Sequence, residues 1–245
     1  MDVAILTVGD EVLAGDTTNT NASWLAREVT ERGSRVVRIL TVPDDRRLIA
    51  ETVGEWTTAF DAVIVTGGLG GTHDDVTADA LADAFGRDLV VAEAVREDVL
   101  ATMAAYRDRN PDRVGAHDLE IDVDAWAALP AGCRPLINPE GLCPGCVVGN
   151  VYAFPGVPAE VRSLFATVAE EFRGDAVSTT LFTPQPEGSM TEAVASVRDG
   201  FDVAVGSYPD TEGHNRVKLT GTDRDAVAAA ADRLRELIVV VDEQG

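Results

Sequence analysis

Lysine is nearly absent from this chain of 245 residues: Lys218 is the only lysine among 20 basic residues, against 42 acidic ones. The formal net charge is −22 at pH 7. Nucleic-acid-binding proteins neutralise phosphates with Lys and Arg, so this deficit argues against nucleic acid as a partner. The acidic residues are dispersed rather than blocked, which argues against an interaction tail. Because salt screens their mutual repulsion, we expect a halophilic cytoplasm as the environment.

Long hydrophobic runs are missing as well. No apolar stretch approaches the roughly 20 residues that a membrane-spanning helix needs, and the N-terminus lacks the basic segment of a signal peptide. With 45% hydrophobic residues and a mean hydropathy of +0.02, the composition is typical of a globular protein with a sizeable core. We therefore expect a cytoplasmic protein that has no membrane partner.

Cysteine is scarce, with three residues at Cys133, Cys143 and Cys146. The spacing of the last two occurs in redox motifs and in half-sites for zinc, but here it lies in a Pro/Gly turn rather than at the start of a helix. Neither a second Cys-x-x-Cys nor a His pair follows, so a closed zinc site lacks ligands. We expect these thiols to be incidental to function.

What the chain does have is a glycine-rich turn between a β-branched run ending at Thr66 and a predicted helix. Glycine lets backbone N–H groups approach an anion closely, and the helix N-terminus adds its positive dipole end. Asp74 and Asp75 would repel a bare phosphate, so they favour a divalent cation between the carboxylates and the ligand. The alternatives are a turn that needs glycine only for geometry and an Asp74 that caps the helix. The glycines of this turn are Gly67, Gly68, Gly70 and Gly71.

Two other predicted strands also end in acidic residues. The strand at 3–8 runs into Asp10 and Glu11, and the strand at 35–42 runs into Asp44 and Asp45. The carboxyl ends of parallel strands meet at one edge of a sheet, where ligands bind. Capping explains one carboxylate in each loop but not the second. We therefore expect these side chains to converge on one cleft with Asp74 and Asp75.

Strands and helices alternate up to about residue 172, which predicts an α/β domain over residues 1–173 with a mostly parallel sheet between two helical layers. Its predicted strands are at 3–8, 35–42, 62–65, 134–138, 146–149 and 151–154, and its helices at 19–32, 46–58, 74–85, 93–109 and 159–172. Residues 112–131 are interpreted as a loop that could include a short strand or turn.

The remaining residues, 174–245, follow the order β-α-β-β-α-β, which predicts a small ferredoxin-like α+β domain. The predicted strands are at 176–182, 202–205, 215–220 and 237–241, and the helices at 189–198 and 223–234.

These motifs, taken in order, resemble the competence/damage-inducible protein A (CinA) family, whose N-terminal domain has the MoaB/Mog molybdopterin-binding fold. The resemblance covers nearly the whole chain. Gly71 departs from it, because the family usually has Pro there, and so does Leu142-Cys143 in the turn before Pro144. The matching motifs are Val8-Gly9-Asp10-Glu11, Asn19-Thr20-Asn21-Ala22, Val42-Pro43-Asp44-Asp45, Thr66–Gly70, Thr72–Thr77, Asn138-Pro139, Phe154–Glu160 and Gly206–Pro209.

The resemblance implies a three-layer α/β/α domain that binds a nucleotide or pterin. It also implies hydrolysis of the pyrophosphate of ADP-ribose or a similar dinucleotide, with Mg²⁺, Mn²⁺ or Co²⁺ and with K⁺ as a further candidate ion. Asp44 and Asp75 match the catalytic positions. The metal ligands would be Asp10, Glu11, Asp44 and Asp75, and the phosphate or nucleotide contacts Gly67, Gly68, Gly70, Thr72, His73, Asn138, Pro155 and Gly156.

Several alternatives remain open. Asp10 and Glu11 could instead contact adenosine or ribose or begin a helix, and His73 could be a phosphate ligand, a general acid or a loop residue. The cleft could serve molybdenum-cofactor chemistry, or it could bind a ligand without catalysis. Longer relatives carry a C-terminal domain that deamidates nicotinamide mononucleotide. Because the chain ends at Gly245, we expect a stand-alone form without that activity. The net charge of −22 favours a haloarchaeal source. We also expect the protein to act on a phosphorylated small molecule and to form a homo-oligomer.

Overall fold

The computed structural model describes residues 1–71, 74–109, 121–210 and 214–242. The chain divides into two units, Met1–Arg173 and Gly174–Gly245. In the first unit the strands are β1 (Asp2–Val8), β2 (Arg35–Val42), β3 (Ala62–Thr66), β4 (Leu89–Val91), β5 (Ala128–Pro130), β6 (Arg134–Leu136), β7 (Gly145–Val148) and β8 (Val151–Phe154). The helices are α1 (Asp10–Leu13), α2 (Thr20–Glu31), α3 (Arg46–Ala59), α4 (Thr77–Phe85), α5 (Glu93–Arg109), α6 (Val123–Trp126) and α7 (Pro158–Val168), and a 3₁₀ turn at Ala169–Phe172 continues the last one.

The central sheet has six strands in the order β2-β1-β3-β8-β7-β6. The first four are parallel, which confirms the mostly parallel sheet, whereas β7 and β6 are antiparallel to their neighbours. Only Gly149 and Asn150 separate β7 from β8, and a two-residue connection can join only antiparallel strands. β4 and β5 form a separate antiparallel pair.

Alternation along the parallel strands produces the predicted three layers. In β1, Leu6 and Val8 pack into one core cluster and Val3 and Ile5 into the other. The first cluster includes apolar residues of α3, α4 and α5, and the second includes those of α2 and α7. A strand that is covered on both faces is apolar throughout, and β1 and β3 have this pattern. The predicted three-layer α/β/α architecture is therefore confirmed.

Strand β2 is less buried than its sequence predicts. It lies at the edge of the sheet, and the side chains of Val37, Ile39 and Leu40 are 39%, 49% and 40% exposed. Apolar content alone does not distinguish an edge strand from a central one, because both can carry β-branched residues.

The starts of two helices show which predicted caps form. The Asp45 side chain accepts a hydrogen bond from the Leu48 N–H at 2.9 Å, so Asp45 caps α3 as predicted. Helix α4 begins at Thr77, three residues later than predicted, and Asp74 is not its N-cap. The Thr77 hydroxyl donates to the Gly67 carbonyl at 2.8 Å, and its N–H donates to the Gly68 carbonyl at 2.8 Å. The glycine turn and the helix are thereby held together through one buried side chain.

The second unit contains β9 (Val177–Thr183), α8 (Thr191–Gly200), β10 (Ala204–Tyr208), β11 (Asn215–Gly221) and α9 (Arg224–Leu237). Its antiparallel sheet has the order β10-β11-β9, with Leu181, Val217 and Leu234 in the core. The predicted strand at 237–241 is wrong, because α9 extends to Leu237 and the pairing beyond it is one bridge between Val241 and Phe182. None of the helices in the described ranges has the length and hydrophobicity to cross a membrane.

Candidate functional site

An open cleft of about 770 Å³ lies where β1, β2, β3 and β8 end. Because these four strands are parallel, the loops that follow them emerge at the same edge of the sheet. The cleft combines a glycine-rich wall with acidic side chains. The acidic residues that line it are Glu11, Asp44, Asp74, Asp75 and Glu160.

The glycine wall leaves no room for side chains. Gly67 has a φ of 98°, and an added Cβ would lie 2.1 Å from the Val8 carbonyl oxygen. Its N–H donates to the Phe154 carbonyl at 3.0 Å. At Gly70, an added Cβ would lie 2.4 Å from Asp75 Oδ2, so the absence of a side chain there gives the carboxylate its space. The turn is therefore shaped by close packing against β1 and against Asp75.

Asp44 is one of the carboxylates in this group whose pKa is raised. Its Oδ2 accepts a hydrogen bond from the Asp10 N–H at 3.0 Å, which favours the charged form. Burial nevertheless raises the pKa of Asp44, and the nearby carboxylates of Asp10, Glu11 and Asp74 raise it further. Such mutual repulsion between anions is relieved by a proton or by a cation.

Asp74 lies in the cleft rather than at the start of a helix, because α4 does not begin until Thr77. We expect Asp74→Ala to cost less stability than Asp45→Ala, since only the second removes a helix cap, which contributes about 1 kcal/mol. Urea denaturation of both variants measures the difference. Equal losses would contradict the position assigned to Asp74.

The structure gathers most of the predicted site residues. Asp10 contributes through its backbone, and Asn138 is buried beneath the cleft, where its Nδ2 donates to the Cys143 carbonyl at 2.7 Å. Thr72 and His73 lie outside the described residues. The predicted residues that line the cleft are Glu11, Asp44, Gly67, Gly68, Gly70, Asp75, Pro155 and Gly156.

Two residues that the sequence did not single out also line the cleft, Trp126 and Glu160. Glu160 lies in the first turn of α7, which begins at the edge where β8 ends. A helix that starts soon after a predicted strand was visible in the sequence, and it could have predicted that Glu160 lies near the cleft. Trp126 belongs to a segment that was predicted to be a loop. An added Cβ on Gly71 would lie 2.1 Å from its indole ring. Glycine in place of the family's usual Pro therefore makes room for this tryptophan.

A preformed metal site is not evident in the protein alone. Within residues 1–71, 74–109, 121–210 and 214–242, no group of three or more His, Cys, Asp or Glu side chains is arranged to hold a metal ion. The four predicted ligands therefore do not make a closed site. Mg²⁺ is commonly held by one or two carboxylates together with ligand phosphates and water, and the carboxylates at this cleft fit that mode of binding.

The three cysteines are free thiols. Cys133 and Cys146 lie close enough for each thiol to shift the pKa of the other, and Cys143 lines the cleft. Burial raises the pKa of the Cys143 thiol, and the neighbouring carboxylates of Glu160 and Asp75 raise it further. A thiol with a raised pKa is a poor nucleophile. The incidental role of the cysteines stays a prediction.

Comparison with protein families gives two matches. The model described as a probable molybdopterin binding domain matches residues 4–174, and the model described as the middle domain of FAD synthase matches residues 175–243. The chain is thus similar to two different domains in succession.

Relatives are found in archaea and bacteria. A protein from Archaeoglobus fulgidus is 37% identical over 97% of this chain and 98% of its own length. A CinA-like protein from Citrifermentans bemidjiense is 34% identical over 96% of this chain, which spans 58% of that relative. Among solved structures, the protein CinA with unknown function from Thermoplasma acidophilum is 32% identical, with a TM-score of 0.58 over 71% of this chain and 100% of that one. The chain therefore belongs to the CinA-like family, with a MoaB/Mog-type molybdopterin-binding domain over residues 4–174.

Proposed function

We propose that the cleft binds a nucleotide and hydrolyses the pyrophosphate of ADP-ribose or a similar dinucleotide with the help of a divalent cation. Mg²⁺, Mn²⁺ and Co²⁺ are the candidate metals, and K⁺ is a further candidate ion. The substrate is a phosphorylated small molecule. A homo-oligomer is proposed as well, on the resemblance alone.

The observation that carries this proposal is the sign of the charges around the glycine turn. A wall of glycine backbone suits phosphate groups, yet the side chains facing it are carboxylates, and none of the described residues lining the cleft is Lys or Arg. A phosphorylated ligand would be repelled unless a cation lay between it and the carboxylates. Burial is the main cause of the raised pKa of Asp44, and the nearby carboxylates raise it further.

Asp44 and Asp75 are the residues that would hold the cation, with Glu11 as a further ligand. A divalent cation bound there would polarise the phosphoryl oxygens and lower the pKa of a bound water. The backbone N–H groups of Gly68 and Gly70 would position the phosphates, and Gly67, whose N–H donates to the Phe154 carbonyl, would hold the turn against β8. Water then attacks one phosphorus atom, the bridging P–O bond breaks, and the products are AMP and ribose 5-phosphate.

The test is hydrolysis of ADP-ribose by folded protein with Mg²⁺, Mn²⁺ or Co²⁺, against EDTA. The assay is repeated from low to high salt, because the net charge of −22 repels an anionic substrate in dilute buffer. We expect AMP and ribose 5-phosphate in equal amounts, only with metal. Binding of ADP-ribose without either product would contradict the hydrolase and leave a ligand-binding module.

A second candidate is a protein of the molybdenum-cofactor type that binds or adenylylates a pterin in the same cleft. The match to a probable molybdopterin binding domain over residues 4–174 favours it. Adenylyl transfer would consume ATP and release pyrophosphate in the presence of the pterin, whereas the hydrolase needs neither. Release of pyrophosphate from ATP that depends on the pterin would support this alternative.

A further inference from the structure

Glu160 has a position that the proposed hydrolysis does not use. It lies in the first turn of α7 and lines the cleft. Its carboxylate lies over Gly141, where an added Cβ would come within 1.8 Å of Oε1. The Asn138 side chain lies beside the same carboxylate and lowers its pKa. The missing side chain of Gly141 thus leaves room for the carboxylate, and the Asn138 amide lies next to it.

One oxygen of this carboxylate lacks a partner. Glu160 Oε2 is buried and has no hydrogen-bond partner in the part of the chain that the structure describes. Burial raises the pKa of Glu160, although the Asn138 amide partly offsets the rise. Leaving a buried acceptor unsatisfied destabilises a folded protein, so such a group in a cleft calls for a donor from outside the chain.

We propose that Glu160 is a specificity residue that accepts a hydrogen bond from a neutral donor of the ligand, a hydroxyl of the ribose or an amino group of the base. This inference rests on the proposed function only in that the cleft binds a nucleotide. A phosphate is the wrong partner, because it would place a second anion against the carboxylate. Asn138, which is buried beneath the cleft, and Gly141, which leaves room for the carboxylate, act as positioning residues.

The experiment is a cycle of calorimetric titrations that combines a protein variant with ligand analogues. ADP is compared with 2′-deoxy-ADP, 3′-deoxy-ADP and inosine diphosphate, which respectively lack the 2′-hydroxyl, the 3′-hydroxyl and the amino group. Wild type is expected to lose about tenfold or more in affinity for one of the three, the scale of a hydrogen bond to a charged group. Glu160→Gln is expected to bind ADP as weakly as wild type binds the affected analogue. The variant should therefore bind ADP and this analogue with equal affinity.

Two further variants separate position from folding. Gly141→Ala keeps the carboxylate but displaces it, so the same discrimination should be lost. Glu140→Gln removes a neighbouring exposed carboxylate and should leave every affinity unchanged. Thermal unfolding of Glu160→Gln should occur at the wild-type temperature or above, because the variant removes a charge that burial disfavours.

Three outcomes would overturn the inference. Glu160→Gln could still distinguish ADP from the analogue as wild type does, or the affinity losses caused by the variant and by the analogue could simply add. The weaker binding of ADP by the variant could also disappear in EDTA. The last would make Glu160 a metal ligand. Wild type that binds ADP but hydrolyses no ADP-ribose would end the hydrolase proposal and leave this inference intact. Wild type that binds no nucleotide would end both.

Discussion

Asp44→Asn is expected to lower metal-dependent hydrolysis of ADP-ribose by about 100-fold or more, the scale of losing a positioned charged group at a reacting centre. The substitution keeps an oxygen that can accept the Asp10 N–H but removes the negative charge that would hold the cation. Asp75→Asn should have a comparable effect. Single-turnover assays at saturating metal and at limiting metal separate lost affinity for the cation from lost chemistry.

The neighbouring residue supplies a matched control. Asp45→Asn makes the same change of charge one position along the chain, outside the cleft, and Asn caps a helix as well as Asp does. Activity and stability should therefore both be retained. Equal loss of activity in the two variants would show that total charge, rather than the position of Asp44, controls the reaction.

Stability provides a second readout for Asp44. Its pKa is raised in the folded state, so the folded protein favours the protonated form of this group more than the unfolded chain does. Its contribution to stability is thus fully present below the ordinary pKa of Asp and is lost as the pH rises through the raised value. At pH 7, Asp44→Asn should therefore unfold at a higher temperature than wild type, and the difference should vanish in acid. Mg²⁺ should stabilise wild type more than the variant.

Gly67→Ala is expected to destabilise the first unit by about 2 kcal/mol or more, because a non-glycine residue is strained at positive φ. At the φ of 98°, the new Cβ would also lie 2.1 Å from the Val8 carbonyl oxygen, a backbone atom that can move only with β1. Urea denaturation, followed by circular dichroism, measures the loss. A variant that fails to accumulate as folded protein at 20 °C but folds on cooling would report the same strain.

Gly54→Ala is the control for this substitution. Gly54 lies inside α3, where an added Cβ would meet nothing within 4 Å. Alanine is the better helix former, so a gain of about 0.5–1 kcal/mol is expected. Similar losses in the two variants would contradict the close packing of Gly67 against β1.

Hydrophobic periodicity in the sequence was enough to predict the parallel part of the sheet. Strands β1 and β3 and the helices around them have strong patterns, because burial on two faces or on one helical stripe leaves few polar positions. The order of the strands depends on long-range pairing, which periodicity does not encode. The antiparallel direction of β7 instead follows from its short connection to β8. Periodicity was also misleading for residues 237–241. Their apolar character fits a strand, but α9 extends to Leu237.

For the candidate site, residue types predicted the kind of chemistry, but position in the sequence did not predict which acidic residue caps a helix and which lines the cleft. Asp74 and Asp45 both follow strands and both resemble caps, yet Asp45 occupies the N-cap position of its helix and Asp74 does not. The difference arises because the turn from Gly67 to Gly70 is held by Thr77, which moves the start of α4 past Asp74. Trp126 could not be placed beside the glycine turn without knowing how α6 returns to it, whereas the position of Glu160 soon after β8 was visible in the sequence.

The hydrogen bonds of Thr77 have a consequence for the thermodynamics of binding. Glycine loses more backbone freedom on ordering than any other residue, so a glycine turn that is loose in the free protein opposes ligand binding entropically. Here the carbonyls of Gly67 and Gly68 are already engaged by Thr77, and the Gly67 N–H by Phe154. The entropy cost of ordering these two glycines is therefore part of the free energy of folding. An anion that binds against them meets a preorganised backbone.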